Sequence, residues 1–205
     1  MSDSFEKNIF VNCPFDNDYR RLLIGIVFTI IYFGYKPRLS LESADSAESR
    51  IDKILKLIIE SKLGIHDISR IVSTDKDEHY RMNMPFELGV DYGCLKFKGG
   101  KWAGKKILIL EKERYRYQKA ISDLSGSDIK NHDDEVIKVI GAVRDWLVTE
   151  ELKRGDSGLK VWGSFNEFHA YLYDEVVEKE GHESINEVQV SEIIHHMQNW
   201  FKSKV

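Results

Sequence analysis

The chain has 205 residues, 42% hydrophobic and 31% charged, with a formal net charge of -4. That balance suits a globular domain with a real core and excludes a disordered chain. The acidic excess argues against a general nucleic-acid binder, the one basic stretch (Lys96 to Lys106) being local.

Cys13 and Cys94 are too few for a disulfide framework and form no C-x-x-C pair, so a reducing, cytoplasmic setting is expected. The N-terminus lacks the basic-then-apolar pattern of a signal peptide. The longest apolar stretch, Leu22 to Tyr35, is too short to span a bilayer. It reads as a buried helix, capped by Asp16 or Asp18 and ended by Gly34.

Before it, Asn8 to Cys13 reads as a short strand stopped by Pro14. Lys36 to Leu41 reads as a second strand. Asp45-Ser46-Ala47-Glu48 resembles a capping box, and Ile51, Ile54, Leu55, Ile58 and Ile59 follow at helical spacing, predicting a helix over about residues 46–62. Gly64 to Ile68 is a third strand, and residues 69–82 form a polar loop. A helix then runs to about Phe97, with Pro85 suited to its first position and Glu87 in its first turn. Phe86 and Leu88 flank Glu87 and are expected to bury. Lys106 to Leu110 is the clearest strand. An edge strand is expected near Ile129 and an amphipathic helix from Asp133 to Leu152. Arg154 to Gly158 reads as a linker. Two further helices, about 161–180 and 185–202, carry Trp162, Phe165, Phe168, Tyr171, Tyr173, Trp200 and Phe201.

Strands alternating with helices at this spacing predict an α/β fold: an open parallel sheet with helices on both faces. The expected division is an α/β domain over residues 1–153 and a C-terminal helical extension over 159–205. The extension either caps the sheet's helices or serves as an oligomerisation or partner-binding arm. Open parallel sheets bind ligands beyond the carboxyl ends of their strands. Asn12 to Phe15, Glu42, Asp67 to Arg70 and Glu111 to Arg114 lie there, with Glu87 on the helix that follows, and a single cleft is expected.

The familiar chemistries fall away in turn. No G-x-x-x-x-G-K-[ST] or G-x-G-x-x-G follows a strand. H-E-x-x-H is absent and Glu192-x-x-His195 stands alone, so no metal site is expected. G-x-S-x-G is missing. A nucleophilic Cys13 would need a neighbouring base or cation that no motif supplies. Carboxylate chemistry remains. A ribosyl–base bond breaks through a cation-like state that a carboxylate can stabilise or trap. Glu87 suits that role, with Asp67 available to hold a sugar hydroxyl or orient a water. Asn12, Ser69 and Asn83 are candidates for sugar hydroxyls, and Phe15, Tyr115 or Tyr117 for stacking on the base.

These residues also carry a likeness. Val11-Asn12-Cys13-Pro14-Phe15, Asp67, Phe86-Glu87-Leu88-Gly89 and the Lys-rich turn into Ile107-Leu108-Ile109-Leu110 resemble, in order, the landmarks of the nucleoside 2-deoxyribosyltransferase and TIR superfamily. The chain is also similar to a bacterial branch carrying Ile-His-Asp-Ile-Ser-Arg and Asn-Met-Pro-Phe-Glu-Leu-Gly. The resemblance covers roughly residues 8–111. It implies a flavodoxin-like sheet and Glu87 as the catalytic carboxylate; Asp67 is expected to assist, with Asn12, Phe15, Ser69, Arg70, Asn83 and Tyr115 around the substrate. It further implies a nucleoside, nucleotide or NAD as substrate rather than cofactor, and a setting in antiphage defence; a homo-oligomer is expected as well. Where the transferases carry Asp-x-Gly-Thr, this chain has Arg81-Met82-Asn83-Met84-Pro85, so deoxyribosyl transfer does not follow from the likeness. The alternative is a non-catalytic nucleotide-binding or signalling module that assembles through its C-terminal helices.

Overall fold

Short runs of Ile, Leu and Val line up side by side in the computed structural model, which describes residues 3–43, 45–71 and 82–204. They are β1 (Asn8–Asn12), β2 (Lys36–Arg38), β3 (Leu63–Asp67), β4 (Lys106–Glu111) and β5 (Lys130–Asn131). They form a wholly parallel sheet in the order β2-β1-β3-β4-β5. This is the flavodoxin-like order, with its reversal point between β1 and β3. The helices are α1 (Asp3–Lys7), α2 (Arg20–Tyr32), α3 (Arg50–Ile59), α4 (Asn83–Phe97), α5 (Val136–Leu147), α6 (Gly158–Tyr173) and α7 (Val190–Ser203). None is long and apolar enough to cross a membrane, among the described residues. Most of the polar loop expected over 69–82 lies outside the described residues.

Side chains alternate across a strand, and that alternation divides the interior. Ile9, Val11, Leu63, Ile65, Leu108 and Leu110 join α2, α5, α6 and α7 in the main core. Phe10 faces the other way, onto Ile54, Leu57 and Ile58 of α3 with Val90 and Cys94 of α4. Farther along that second face, Ile107 and Ile109 pack with Leu88 of α4 and with Ile68, Ile71 and Tyr117.

The apolar stretch beginning at Leu22 does form a helix. Every residue of α2 from Leu22 to Ile30 is buried, because the sheet covers one side and α5, α6 and α7 cover the rest. A side chain at Gly25 would place its Cβ 2.8 Å from Val136, so glycine permits the close α2–α5 approach. Gly34, at φ +76°, ends the helix as expected; Tyr35 N–H reaches Ile30 O at 3.0 Å. Asp16 accepts the amide of Tyr19 at 3.0 Å, in the turn just before α2.

Several boundaries move. β2 stops at Arg38, and a 3-10 turn, Ser40–Glu42, takes over. Glu42 spends its carboxylate on Arg38 at 3.0 Å and on the Leu39 amide at 2.8 Å. Asp45 accepts the amide of Ala47 in a local turn, and α3 begins only at Arg50, later than the expected start near Ser46. In α4, Pro85 is the third helical residue, still in the turn whose amides lack helical partners. Glu87 is the fifth, past the first turn, so it gains less from the helix dipole. Leu88 buries as expected, but Phe86 is 61% exposed.

The C-terminal helices are part of the main core. Phe28 of α2 sits among Phe165, Phe168, Trp200 and Phe201, with ring centroids 5.2–6.0 Å away. Of the tail aromatics singled out in the sequence, Tyr173 is the one large exposed ring. The stretch at Arg154–Gly158 is pinned as well: Arg144 binds the carbonyls of Gly155 and Asp156, and Tyr32 donates to Asp156 at 2.7 Å.

Candidate functional site

His66 and Asp67 are neighbours in β3, so they point to opposite faces of the sheet. Each is fully buried and each organises a polar network. Asp67 therefore faces the α2 and α5 layer, whereas Glu87 belongs to α4 on the other layer.

Asp67 is saturated. Its Oδ2 accepts the Tyr19 hydroxyl at 2.7 Å, and its Oδ1 accepts both the amide and the hydroxyl of Ser69. His132 Nε2 lies 3.0 Å from Oδ2, off the line of a good hydrogen bond. Because His132 Nδ1 accepts the amide of Asp134 at 3.1 Å, the ring proton sits on Nε2, close to the carboxylate but not aligned on it. Burial, then the Asp67 charge, push the Tyr19 phenol well above its ordinary value. Beside this group, Arg116 joins Glu111 to the carbonyl of Ser69, and Arg70 holds Asp16 at 2.9 Å. Asp67 and Ser69 thus tie the strand ends together, their side chains spent on each other and on Tyr19 rather than turned to a sugar. Arg70, half-buried, keeps part of its guanidinium toward solvent.

The other network grips α4. Met84, Glu87, Leu88 and Asp91 form its buried stripe, at the i, i+3, i+4, i+7 spacing of one helix face. Asn12 Nδ2 donates to Met84 O at 2.9 Å and to His66 Nδ1 at 3.0 Å. That leaves the His66 proton on Nε2, which meets Asp91 Oδ2 at 3.0 Å. Lys105 Nζ sits 3.1 Å from Asp91 Oδ1 and also donates to the carbonyls of Ile58 and Ser61. Burial alone would raise the Asp91 carboxyl; His66 and Lys105 outweigh it and hold it below the usual range. A Cβ at Gly64 would lie 2.4 Å from Asp91 Oδ2, so this network needs glycine there.

Glu87 stands one turn before Asp91 on the same stripe and is 5% exposed. Arg50, at the start of α3 and largely exposed, brings Nη2 to 3.5 Å from its Oε1. Burial pushes the Glu87 carboxyl up, and Arg50 and His66 pull it part of the way back.

The remaining candidates are dispersed. Asn12 is buried and spent on His66 and Met84. Asn83 is exposed at the first position of α4. Phe15, half-buried, lines a groove of about 330 Å³ with Arg20, Ser40 and Gln189, and Glu87 does not line it. Tyr115, at φ +63° and 64% exposed, lines a groove of about 510 Å³ beside β5. Cys13 is buried, and burial followed by the charges of Asp67, Asp16 and Glu87 raises its thiol well above its ordinary value, which leaves it a poor nucleophile.

The networks also contain residues that sequence reasoning passed over: Tyr19, Asp91, Lys105, Arg116 and His132. Asp91 alone had a signal, a charge four residues beyond Glu87 on an apolar stripe. Compared with protein-family models, curated proteins and solved structures, the chain matches none.

Proposed function

We propose that the chain is an N-glycosidase that cleaves the base–ribose bond of NAD or a related nucleotide or nucleoside, with Glu87 as the carboxylate facing the ribosyl cation. The observation that carries this reading is a nearly buried Glu87 on the inner face of α4, which starts at the carboxyl edge of a parallel sheet, where such folds commonly bind ligands, beside the solvent-reaching guanidinium of Arg50. A desolvated carboxylate acts strongly on a positive charge that develops next to it. Arg50 favours its ionised form and is a natural partner for a substrate phosphate. Asp67 is assigned a positioning role, because its oxygens already serve Tyr19 and Ser69.

The second reading, a non-catalytic nucleotide-binding module, is favoured by that same saturation of Asp67, which withdraws the expected second carboxylate from activating water. Incubating wild type and Glu87→Gln with NAD and a panel of nucleosides and nucleotides separates the two. Release of free base by wild type, abolished in Glu87→Gln with ligand affinity retained, supports the glycosidase. Nucleotide binding without base release in either protein supports the module.

A further inference from the structure

The sheet has two unlike edges. β2 reads Lys36-Pro37-Arg38. Its proline has no N–H and cations flank it, features that keep an edge strand from pairing. The other edge is only half covered. β5 pairs with β4 at Leu110 and Glu111 alone, whereas β3 pairs with β4 from Lys106 to Leu110.

Lys106 N–H donates to Lys62 O, and Leu110 O accepts from Ile68 N–H, so the even-numbered residues of β4 face β3. His132 N–H donates to Glu111 O, so the odd-numbered residues face away. The N–H and C=O of Ile107 and the N–H of Ile109 therefore point to a side on which no strand lies among the described residues.

We propose that this open half-edge is a strand-addition site for an extended, uncharged, apolar segment of a partner protein. A groove of about 630 Å³ runs along it, walled by Tyr92 and Leu95 of α4 and by Ala142 and Trp146 of α5. Four residues of strand span about 13 Å at the usual rise, the length of Lys106 to Ile109. An added strand would send alternate side chains to the two walls. Tyr92 and Leu95 on one wall and Ala142 and Trp146 on the other are apolar, the exposed Asp145, Thr149 and Glu150 adding polar groups to the α5 side, so the segment should be apolar on both faces, like an interior parallel strand.

The rim charges are already matched, Lys106 with Glu150 and Lys130 with Asp128, each at 2.8 Å, so a charged segment gains nothing there. A second copy does not fit. Its β2 edge is closed by Pro37, and its β4 edge is recessed between the same helical walls. A protruding extended segment reaches where a recessed edge cannot, and main-chain hydrogen bonds supply its affinity.

The test uses the full-length protein, isotope-labelled, with amide exchange read residue by residue. The probes are the hexapeptide acetyl-Ser-Val-Ile-Val-Thr-Ser-amide and its reversed sequence, covering both strand directions, and a version of each methylated at alternate backbone nitrogens. Without peptide, the amides of Ile107 and Ile109 should exchange faster than those of Leu108 and Leu110. One unmethylated probe should slow them by about tenfold or more in a saturable way, consistent with a closed local opening. The methylated version should not, and Thr149→Arg, an exposed substitution at the groove mouth, should abolish the effect with Tm unchanged. Four results would overturn the proposal: protection of both amides before any peptide is added, no slowing by either probe at saturation, equal slowing by the methylated peptides, or peptide-free protection that grows with protein concentration, which would assign the edge to a second copy.

Discussion

Glu87 and Asp67 are both buried carboxylates, but their surroundings differ in kind. Asp67 is surrounded by donors, whereas Glu87 is mainly desolvated. The folded chain therefore binds a proton at Glu87 more tightly than the unfolded chain does. Below the ordinary carboxylate range both states are protonated and the associated stability is fully present; it is lost as pH rises through the elevated folded value. Glu87→Gln removes this dependence. Its Tm is expected to match wild type near pH 4 and to exceed it at pH 7–8, and a thermal melt series over that range reads the difference. An equal gap at every pH would mean that Glu87 is not the titrating group. Asp67→Asn is expected to behave differently. An amide there turns one acceptor into a donor facing donors, costing about 1–3 kcal/mol. Denaturant unfolding measures that loss, and the pH midpoint of base release, if Glu87 sets it, should not move.

At the scale of elements, α4 is the piece whose placement matters most. It is tied to β1 through Asn12, to β3 through His66, and through Lys105 to the residues where α3 ends. Asp91→Ala leaves Lys105 buried without its counter-charge. Breaking one member of such a pair costs about 3–5 kcal/mol, measurable as a drop in the urea midpoint. The wild-type contribution of Asp91 is present above the ordinary Asp range and is lost as acid titrates the carboxyl through its depressed folded value. Much of this layout was legible in the chain. Apolar runs bounded by Gly and Pro marked β1, β3 and β4, and the alternation of β and α segments implied the parallel sheet. Period two also required His66 and Asp67 to part company across it, so their separation was implicit in two adjacent letters. What the sequence hid was partnership. His66 and Lys105 lie 25 and 14 positions from Asp91, and only the folded sheet brings them within 3.1 Å of it. The late start of α3 was hidden for a different reason: Asp45 offered its side chain to a turn amide, a choice that competes locally with helix capping.

At the scale of the molecule, the C-terminal helices complete the core. Val161, Phe168, Leu172, Ile193 and Met197 are all buried in the same cluster as Ile9 and Ile65 of the sheet. Truncation after Arg154 is therefore expected to yield a chain that lacks cooperative unfolding and binds a hydrophobic dye. A sharp melting transition in that fragment would show that residues 1–154 stand alone.

The ring cluster about Phe28 sets a schedule for synthesis. Phe28 leaves the ribosome early, whereas Trp200 and Phe201, which pack against it, follow long after. At roughly 5–20 residues per second, the intervening stretch takes on the order of 10–30 s to appear. For that interval an almost wholly apolar helix lacks the cover that α7 gives it. A nascent chain of this kind depends on chaperone shelter in proportion to how slowly its closing helices arrive, and slow codons after Gly158 should lower its soluble yield more than slow codons before Asn8.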